Sequence, residues 1–205
     1  MNRYSVLVLV LLLAAGSILA FGNLDGITGN AIADFDIEQE EVLVVPVRVH
    51  LVSDDSGLYT SLRDEDNVGY LFKEANKIWE QGRIEFEIVE INRVDLSTNG
   101  IPGAINGDYS ELTGVESYDN EVIDLFLARS LNGLNGLALP PVSSALVADK
   151  TTVNDYRTTA HEFGHLFGLK HVQGNENLMA MGRNGEILSD WEIVTARRNA
   201  EIWLS

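Results

Sequence analysis

The 205-residue chain contains no cysteine and no Asn-x-Ser/Thr sequon. The lack of cysteine excludes disulfide bonds and lipid attachment to cysteine. An exported domain without disulfides depends on its core, and on any bound ions, for its stability. If the chain is exported, the two absences together favour a prokaryotic cell envelope over a eukaryotic secretory pathway.

Basic residues are scarce, because 14 Lys and Arg stand against 31 Asp and Glu, and the formal net charge is −17. They are also scattered along the chain, so the composition excludes binding to nucleic acid or to anionic membrane surfaces. A solvated acidic surface, adaptation to high salt and a preference for basic substrates would all give this composition. The acidic clusters Ser53–Asp55 and Asp64–Asp66 make calcium a second candidate ion, although neither follows a known calcium-loop pattern.

The longest apolar run lies at the N-terminus. Met1-Asn2-Arg3 is a short basic head, and the apolar run begins at Val6 and continues to Phe21. Residues 1–22 are therefore predicted to be a signal peptide or a membrane anchor, since about 17 apolar residues approach the minimum for a spanning helix. In either case the segment would engage the membrane or the export machinery. The bulk of the chain would then be extracytoplasmic, either secreted or tethered to the membrane.

The rest of the chain is predicted to form an acidic linker over residues 23–40 and one folded domain over residues 41–205. Strand and helix patterns alternate along this domain. The predicted strands are Glu41–Ser53, Arg83–Val94, Glu121–Ala128, Leu137–Pro141 and Ser144–Asp149; the predicted helices are Asp66–Gln81, one that ends near Leu166, and one that begins at Ser189. Gly82 is the expected stop of the first helix.

Finer expectations concern strand burial, the long loop and the helix caps. The first strand is predicted to be half-buried, with Arg48 and His50 on its polar face and His50 not a metal ligand. The loop from residue 95 to residue 120 is expected to shape a cleft rim or bind an ion. Thr152 and Asp155 resemble a capping pair for the second helix, and Ser189 and Glu192 resemble a capping box for the last one.

One segment carries most of the chemistry: residues 161–171, HEFGHLFGLKH. In a helix, the spacing of His161 and His165 places both imidazoles on one face, where they can reach one cation. Gly168 can take the left-handed conformation that ends a helix, so that the chain turns back and presents His171 to the same ion. Zinc held by three neutral histidines keeps a position for water and lowers the pKa of that water to about 7. Glu162 would then act as the general base.

This segment resembles the HExxHxxGxxH signature of the metzincin zinc endopeptidases. The resemblance implies an α+β catalytic domain with a twisted mixed sheet, an active-site helix, a methionine turn and a C-terminal helix. It implies that Met179, with Met181 as second candidate, lies in the methionine turn. It also implies an exported zinc-dependent endopeptidase that hydrolyses peptide bonds in proteins or peptides, in which a zinc-bound water attacks with Glu162 as base.

The same resemblance implies that extended peptides bind along an edge strand formed by Gly136, Leu137, Ala138 and Leu139. The subfamily stays open. The stretches VVPVRVHLV and GLALPP are similar to pappalysin-like members, whereas the short distance from His171 to Met179 is similar to matrixins. Two alternatives remain: a non-catalytic zinc-containing module that binds peptides or proteins, and a different hydrolase on the same metal frame, for example one that acts on cell-wall peptides. Glu162 favours an enzyme, because a purely structural zinc does not need a general base.

Overall fold

A five-stranded mixed β-sheet organises the protein in the computed structural model, which describes residues 37–119 and 121–205. The strands are β1 (Leu43–Asp54), β2 (Ile84–Leu96), β3 (Ile123–Ala128), β4 (Gly136–Leu139) and β5 (Ser144–Ala148). Their order across the sheet is β2-β1-β3-β5-β4, and only β4 runs antiparallel to its neighbour. The predicted mixed sheet is confirmed, and β4 lies at its edge.

Five α-helices and three 3₁₀ turns complete the described part of the chain. The helices are α1 (Glu65–Trp79), α2 (Gly100–Ile105), α3 (Ser110–Thr113), α4 (Asp155–Leu166) and α5 (Asp190–Leu204); the 3₁₀ turns are Ile37–Gln39, Glu80–Gly82 and Pro140–Val142. Helices α1 and α4 pack against each other, and α4 also contacts β4 and β5. This packing brings helix α4, which carries the histidine motif, beside the edge strand.

Strand β1 is buried on both faces along its second half, so the prediction of a half-buried strand was wrong. Arg48 and His50, expected on a polar face, are 8% and 0% exposed. β1 lies between β2 and β3 in the sheet, and both of its faces are covered by other layers. The alternation of polar and apolar residues correctly predicted that one face of β1 packs against the helices. It did not predict that a second layer covers the opposite face.

The loop after β2 supplies that second layer. It contains the short helices α2 and α3, whose apolar residues Ile101, Ala104 and Leu112 form one hydrophobic cluster with Val52 and Phe126 of the sheet. The loop contributes none of its described residues to the cleft beside the histidines and covers the sheet face instead, and ion binding by the loop stays a prediction. Burial of these side chains stabilises the fold in the ordinary way, by removing apolar surface from water.

Of the two helix caps predicted from the sequence, the one at Ser189 is confirmed and the one at Thr152 is not, and Asp64 is a cap that was not predicted. Asp64 and Ser189 are the N-caps of α1 and α5, and each forms a capping box with the residue three positions later. The prediction for α4 was wrong: its N-cap is Asn154, and Thr152 instead exchanges hydrogen bonds with the side chain of Asn135. After α1 the chain continues as a 3₁₀ turn that ends at Gly82, the expected stop, and the next residue, Arg83, adopts φ of 47°.

The predicted signal peptide or anchor at residues 1–22 lies outside the described residues, as does most of the predicted linker. Within the described ranges, no helix is long and apolar enough to cross a membrane.

Candidate metal centre

Three imidazoles converge at one point beside the edge strand. The Nε2 atoms of His161, His165 and His171 lie 3.0 to 3.2 Å from one another. A tetrahedral zinc ion with Zn–N bonds of about 2.0–2.1 Å requires ligand nitrogens about 3.3 Å apart, so the spacing fits such an ion. Among the described residues, these three side chains form the one group of three or more potential ligands close enough to share a metal.

The other ring nitrogens show why the convergence requires a cation. Nδ1 of His161 lies 2.8 Å from the carbonyl oxygen of Leu178, and Nδ1 of His165 lies 2.8 Å from that of Leu169. A carbonyl can only accept, so each Nδ1 donates its N–H, and the Nε2 of each neutral ring presents a lone pair. Lone pairs that face one another repel, and a shared metal ion removes that repulsion.

Burial keeps two of these rings neutral. It lowers the pKa of His161 to about 4, although the hydrogen bond to Leu178 opposes the shift. Burial also lowers the pKa of His165. Both rings are therefore unprotonated near neutral pH, which is the form that binds a metal.

Gly168 allows the third histidine to join the other two. Helix α4 ends at Leu166, and Gly168 adopts φ of +80°, the left-handed conformation expected from the sequence. The N–H of Leu169 then bonds the carbonyl of Gly164 at 2.9 Å and closes the turn. Without this reversal the helix would carry His171 away from the other imidazoles.

Glu162 faces the same cleft and lies against the edge strand. It is 7% exposed, and burial raises the pKa of its carboxyl to about 7, while the N–H of Ala138 and the charge of Arg157 oppose the shift. A Cβ atom on Gly136 would approach the Glu162 side chain to 2.6 Å, so only glycine fits at this position without displacement. A buried carboxylate with a raised pKa beside a metal site is suited to proton transfer near neutral pH.

Met179 packs against α4, the helix that carries His161 and His165. It occupies a tight turn closed by the hydrogen bond from Ala180 N–H to the carbonyl of Asn177, and it is fully buried. A Cβ atom on Gly164 of the metal helix would lie 2.7 Å from the Met179 sulfur, so the thioether packs directly against the helix. Met181 is 71% exposed and lies at the cleft surface instead. The geometry suits Met179, not Met181, to form an apolar floor.

The cleft beside the triad is lined by residues of the edge strand, of α4 and of the segment after Met179. Gly136, Leu137 and Ala138 of β4 line it, and Leu139 is buried at the end of the strand. The hydrogen bond from Ala148 N–H to the carbonyl of Asn135 shows which positions face β5. Because the direction alternates along a strand, the backbone groups of Gly136 and Ala138 point away from the sheet and toward the cleft.

Sequence reasoning missed Arg157. It lines the cleft, is 2% exposed, and lies four residues before His161 on the same helix face. The signal was present, since positions 157, 161 and 165 have the helical spacing of one face, but a lone arginine on a helix is ordinarily solvent-exposed.

The two acidic clusters are engaged in local hydrogen bonds. The Asp54 carboxylate accepts from the backbone N–H groups of Ser56 and Tyr59, and Asp64 caps α1. Calcium binding stays a prediction and gains no support from these side chains.

Comparison with known proteins identifies a peptidase family and a fold. A family model described as metallo-peptidase family M12B, reprolysin-like, matches residues 66–172. A search of curated proteins found no match. Among solved structures, the chain is similar to archaemetzincin from Methanopyrus kandleri, with 15% identity and a TM-score of 0.55, over 78% of this chain and 97% of that one.

Two further structures are similar at lower coverage or lower score. One is a chain from a chaperone–substrate complex, with 11% identity and a TM-score of 0.52, over 80% of this chain and 36% of that one. The other is a zinc-dependent peptidase from Methanocorpusculum labreanum, with 15% identity and a TM-score of 0.36, over 78% of this chain and all (100%) of that one. At these identities the likeness to archaemetzincin concerns the fold. The matrixin-like and pappalysin-like assignments receive no support and stay predictions.

Proposed function

This chain belongs to the reprolysin-like metallopeptidase family M12B and is a zinc metallopeptidase, and we propose that it is an endopeptidase with Glu162 as its general base. In this proposal His161, His165 and His171 hold the zinc ion. The observation that carries the proposal is the convergence of three Nε2 atoms, two of them on rings whose Nδ1 donates to a carbonyl, next to one buried carboxylate.

The chemistry follows from the groups around this point. When bound, zinc supplies a Lewis acid that polarises the substrate carbonyl and makes water acidic enough to ionise near neutral pH. Glu162 takes a proton from the attacking water, and its raised pKa lets it hold that proton and pass it to the leaving amine. Deep burial keeps competing water away from the carboxyl during both transfers.

The edge strand would hold the substrate. The outward backbone groups of Gly136 and the outward carbonyl of Ala138 can pair with an extended peptide, which gives main-chain hydrogen bonds that do not depend on side-chain identity. Such a grip suits cleavage within a chain, because it uses no terminal group of the substrate. The Ala138 N–H also bonds Glu162, so binding of a peptide along β4 and placement of the base are coupled.

Two further parts of the proposal rest on narrower support. Met179 would form the apolar floor of the site, as in a methionine turn; its burial and its contact with the metal helix at Gly164 support this role. Export rests on the amino-acid sequence of residues 1–22 alone. In this proposal the peptidase domain lies outside the cytoplasm, secreted or tethered by that segment.

The test is cleavage of casein or of internally quenched peptides by the full-length protein, with zinc content measured in parallel. We expect stoichiometric zinc, loss of cleavage on chelation, and its return when zinc is added. Glu162→Gln should retain zinc and lose at least about a thousandfold in kcat. Glu74→Gln, a surface carboxylate on α1, is the control and should behave like the wild type.

Two outcomes would overturn the proposal. Full activity of Glu162→Gln would exclude Glu162 as the base. Stoichiometric zinc without cleavage of any substrate would instead favour the non-catalytic peptide-binding module.

A further inference from the structure

Arg157 differs from every other buried arginine in the described part of the chain. Arg48, Arg63 and Arg197 are each at most 9% exposed, and each lies within 4.0 Å of at least two carboxylates. Arg157 is 2% exposed and lies within that distance of none of the described carboxylates. A buried cation without a counter-ion is costly, so its retention at this position requires a reason.

Backbone carbonyls hold the guanidinium rigidly. Nε donates to the carbonyl of Gly185 at 3.1 Å, and Nη2 donates to the carbonyls of Ala180, at 2.5 Å, and Leu178. These acceptors are neutral, so they orient the group and satisfy its N–H donors but do not cancel its charge. They belong to the same segment as Met181 and Gly182, which line the cleft.

The third nitrogen is not fully enclosed, and we infer that it opens to the cleft that Arg157 lines. Nη1 has no acceptor among the described residues, and it is not one of the buried atoms that are sealed without a partner. The cavity that Arg157 lines is the active-site cleft, where its neighbours include Val153, Thr158 and Met181. Arg157 is the one Lys or Arg among the residues that line this cavity. The guanidinium of Arg157 is therefore held in place through Nε and Nη2, while Nη1 remains available to a ligand in the cleft.

The nearest carboxylates do not neutralise it. Burial lowers the pKa of Arg157, and the charges of Glu162 and Glu186 oppose the shift from beyond ion-pair distance. Glu162 is engaged with the N–H of Ala138 and, in the proposed reaction, with the attacking water. A carboxylate that enters with the substrate would supply the missing counter-ion and accept from the free Nη1 in a largely dehydrated site.

We propose that Arg157 makes the peptidase select substrates that carry a carboxylate close to the scissile bond, an inference that rests on the proposed peptidase function. The carboxylate can come from an Asp or Glu side chain or from the C-terminus of the peptide, since both present the same pair of oxygens. The overall charge of −17 repels acidic substrates at long range, so the preference arises from one local contact and not from steering.

The first experiment uses the wild-type protein. Internally quenched peptides carry Glu or Gln at each of three positions on either side of the cleaved bond, and a second set ends in a free carboxylate or an amide. We expect kcat/KM to be about tenfold higher or more for the acid at one position, mainly through KM, because charge-assisted hydrogen bonds contribute on that scale. A response to Glu would identify a side-chain carboxylate, and a response to the free terminus alone would identify the α-carboxylate.

Two results would overturn the inference in distinguishable ways. Cleavage with equal rates for acid and amide at every position would remove the selectivity and leave the peptidase function intact. No zinc-dependent cleavage of any peptide would remove both.

A matched pair of variants assigns the preference to Arg157. Arg157→Gln should lose the preference for the acid while it keeps zinc and slow cleavage. Arg197→Gln removes an equally buried arginine that also donates to three carbonyls, those of Glu41, Gly82 and Arg83, and it should keep the preference. If Arg157→Gln does not fold, Arg157→Lys retains the charge and should keep part of the preference. An unchanged preference in Arg157→Gln would overturn the assignment.

A binding measurement supplies a readout that does not depend on turnover. In the zinc-loaded Glu162→Gln protein, the peptide with the preferred acid should bind about tenfold more tightly than its amide counterpart, and the difference should shrink as salt is added. Equal dissociation constants for the two peptides would contradict a direct contact with the guanidinium.

Discussion

A Cβ atom on Gly136 would lie 2.6 Å from Oε1 of Glu162. The edge strand and the Glu162 side chain are thus in direct contact, which is possible because Gly136 has no side chain. Gly136→Ala should push the carboxylate or the strand aside by several tenths of an ångström or more. We expect kcat to fall by about 10- to 100-fold, because misplacement of a reacting group on that scale costs such factors, while zinc content is retained.

The control for this substitution is Gly69→Ala. Gly69 lies on the exposed face of α1, and a Cβ atom there would meet nothing within 4 Å. Activity should be unchanged, and the free energy of unfolding should rise by about 0.5–1 kcal/mol, since alanine is the better helix former. Wild-type activity in Gly136→Ala would show that the contact between strand and base is not needed for turnover.

The convergence of the three histidines could be predicted from the sequence, because the residues that produce it lie within eleven consecutive positions. His161 and His165 are one helical turn apart, and Gly168 is the residue that must adopt a left-handed conformation. The second layer over the sheet could not be predicted, because it joins residues far apart in the chain: Ile101 and Leu112 of the loop cluster with Val52 and Phe126 of the sheet. Arg157 was missed for the same reason: its carbonyl partners follow 21 to 28 residues later in a segment without regular structure.

Met179 should tolerate replacement by another apolar side chain of similar volume. If the thioether is a floor and not a ligand, Met179→Leu should retain zinc and most activity, with a loss of unfolding free energy below about 1.5 kcal/mol. Met179→Ala leaves a cavity against α4 and should cost about 2–5 kcal/mol. Urea unfolding and zinc titration would measure the two effects. A sharp loss of zinc affinity in Met179→Leu alone would argue for direct participation of the sulfur.

Glu162 should weaken the metal-free fold at neutral and alkaline pH. Burial raises the pKa of its carboxyl from 4.5 to about 7, so the folded state disfavours the ionised form. Well below pH 4.5 the group is protonated in both states and the cost is absent; the cost grows as pH rises from 4.5 to about 7 and is complete above that. Relative to Glu162→Gln, the chelated wild type should therefore be less stable at pH 8 by up to about 3 kcal/mol, with equal stabilities near pH 4. Denaturant unfolding of both proteins across this range would reveal the gap, and a constant difference at every pH would contradict the assignment.

Arg48 holds together a buried charge cluster on the sheet face opposite the metal helix. Its guanidinium donates to Glu90 at 2.9 Å, to Asp119 at 2.8 Å and to Asp124 at 3.3 Å. Asp124 is fully buried, and its remaining side-chain partner is His50 at 2.6 Å.

Arg48→Met would leave the Asp124 carboxylate without its cation and should cost about 3–5 kcal/mol of unfolding free energy. As a control, loss of an exposed pair through Lys77→Ala should cost less than about 1 kcal/mol. Addition of Asp124→Asn to Arg48→Met should restore part of the loss, because the uncompensated charge is then removed. Cleavage per folded molecule should remain at the wild-type level in all three variants, since the sheet separates the cluster from the cleft. A fall in kcat in a variant that is fully loaded with zinc would show instead that the two faces of the sheet are coupled.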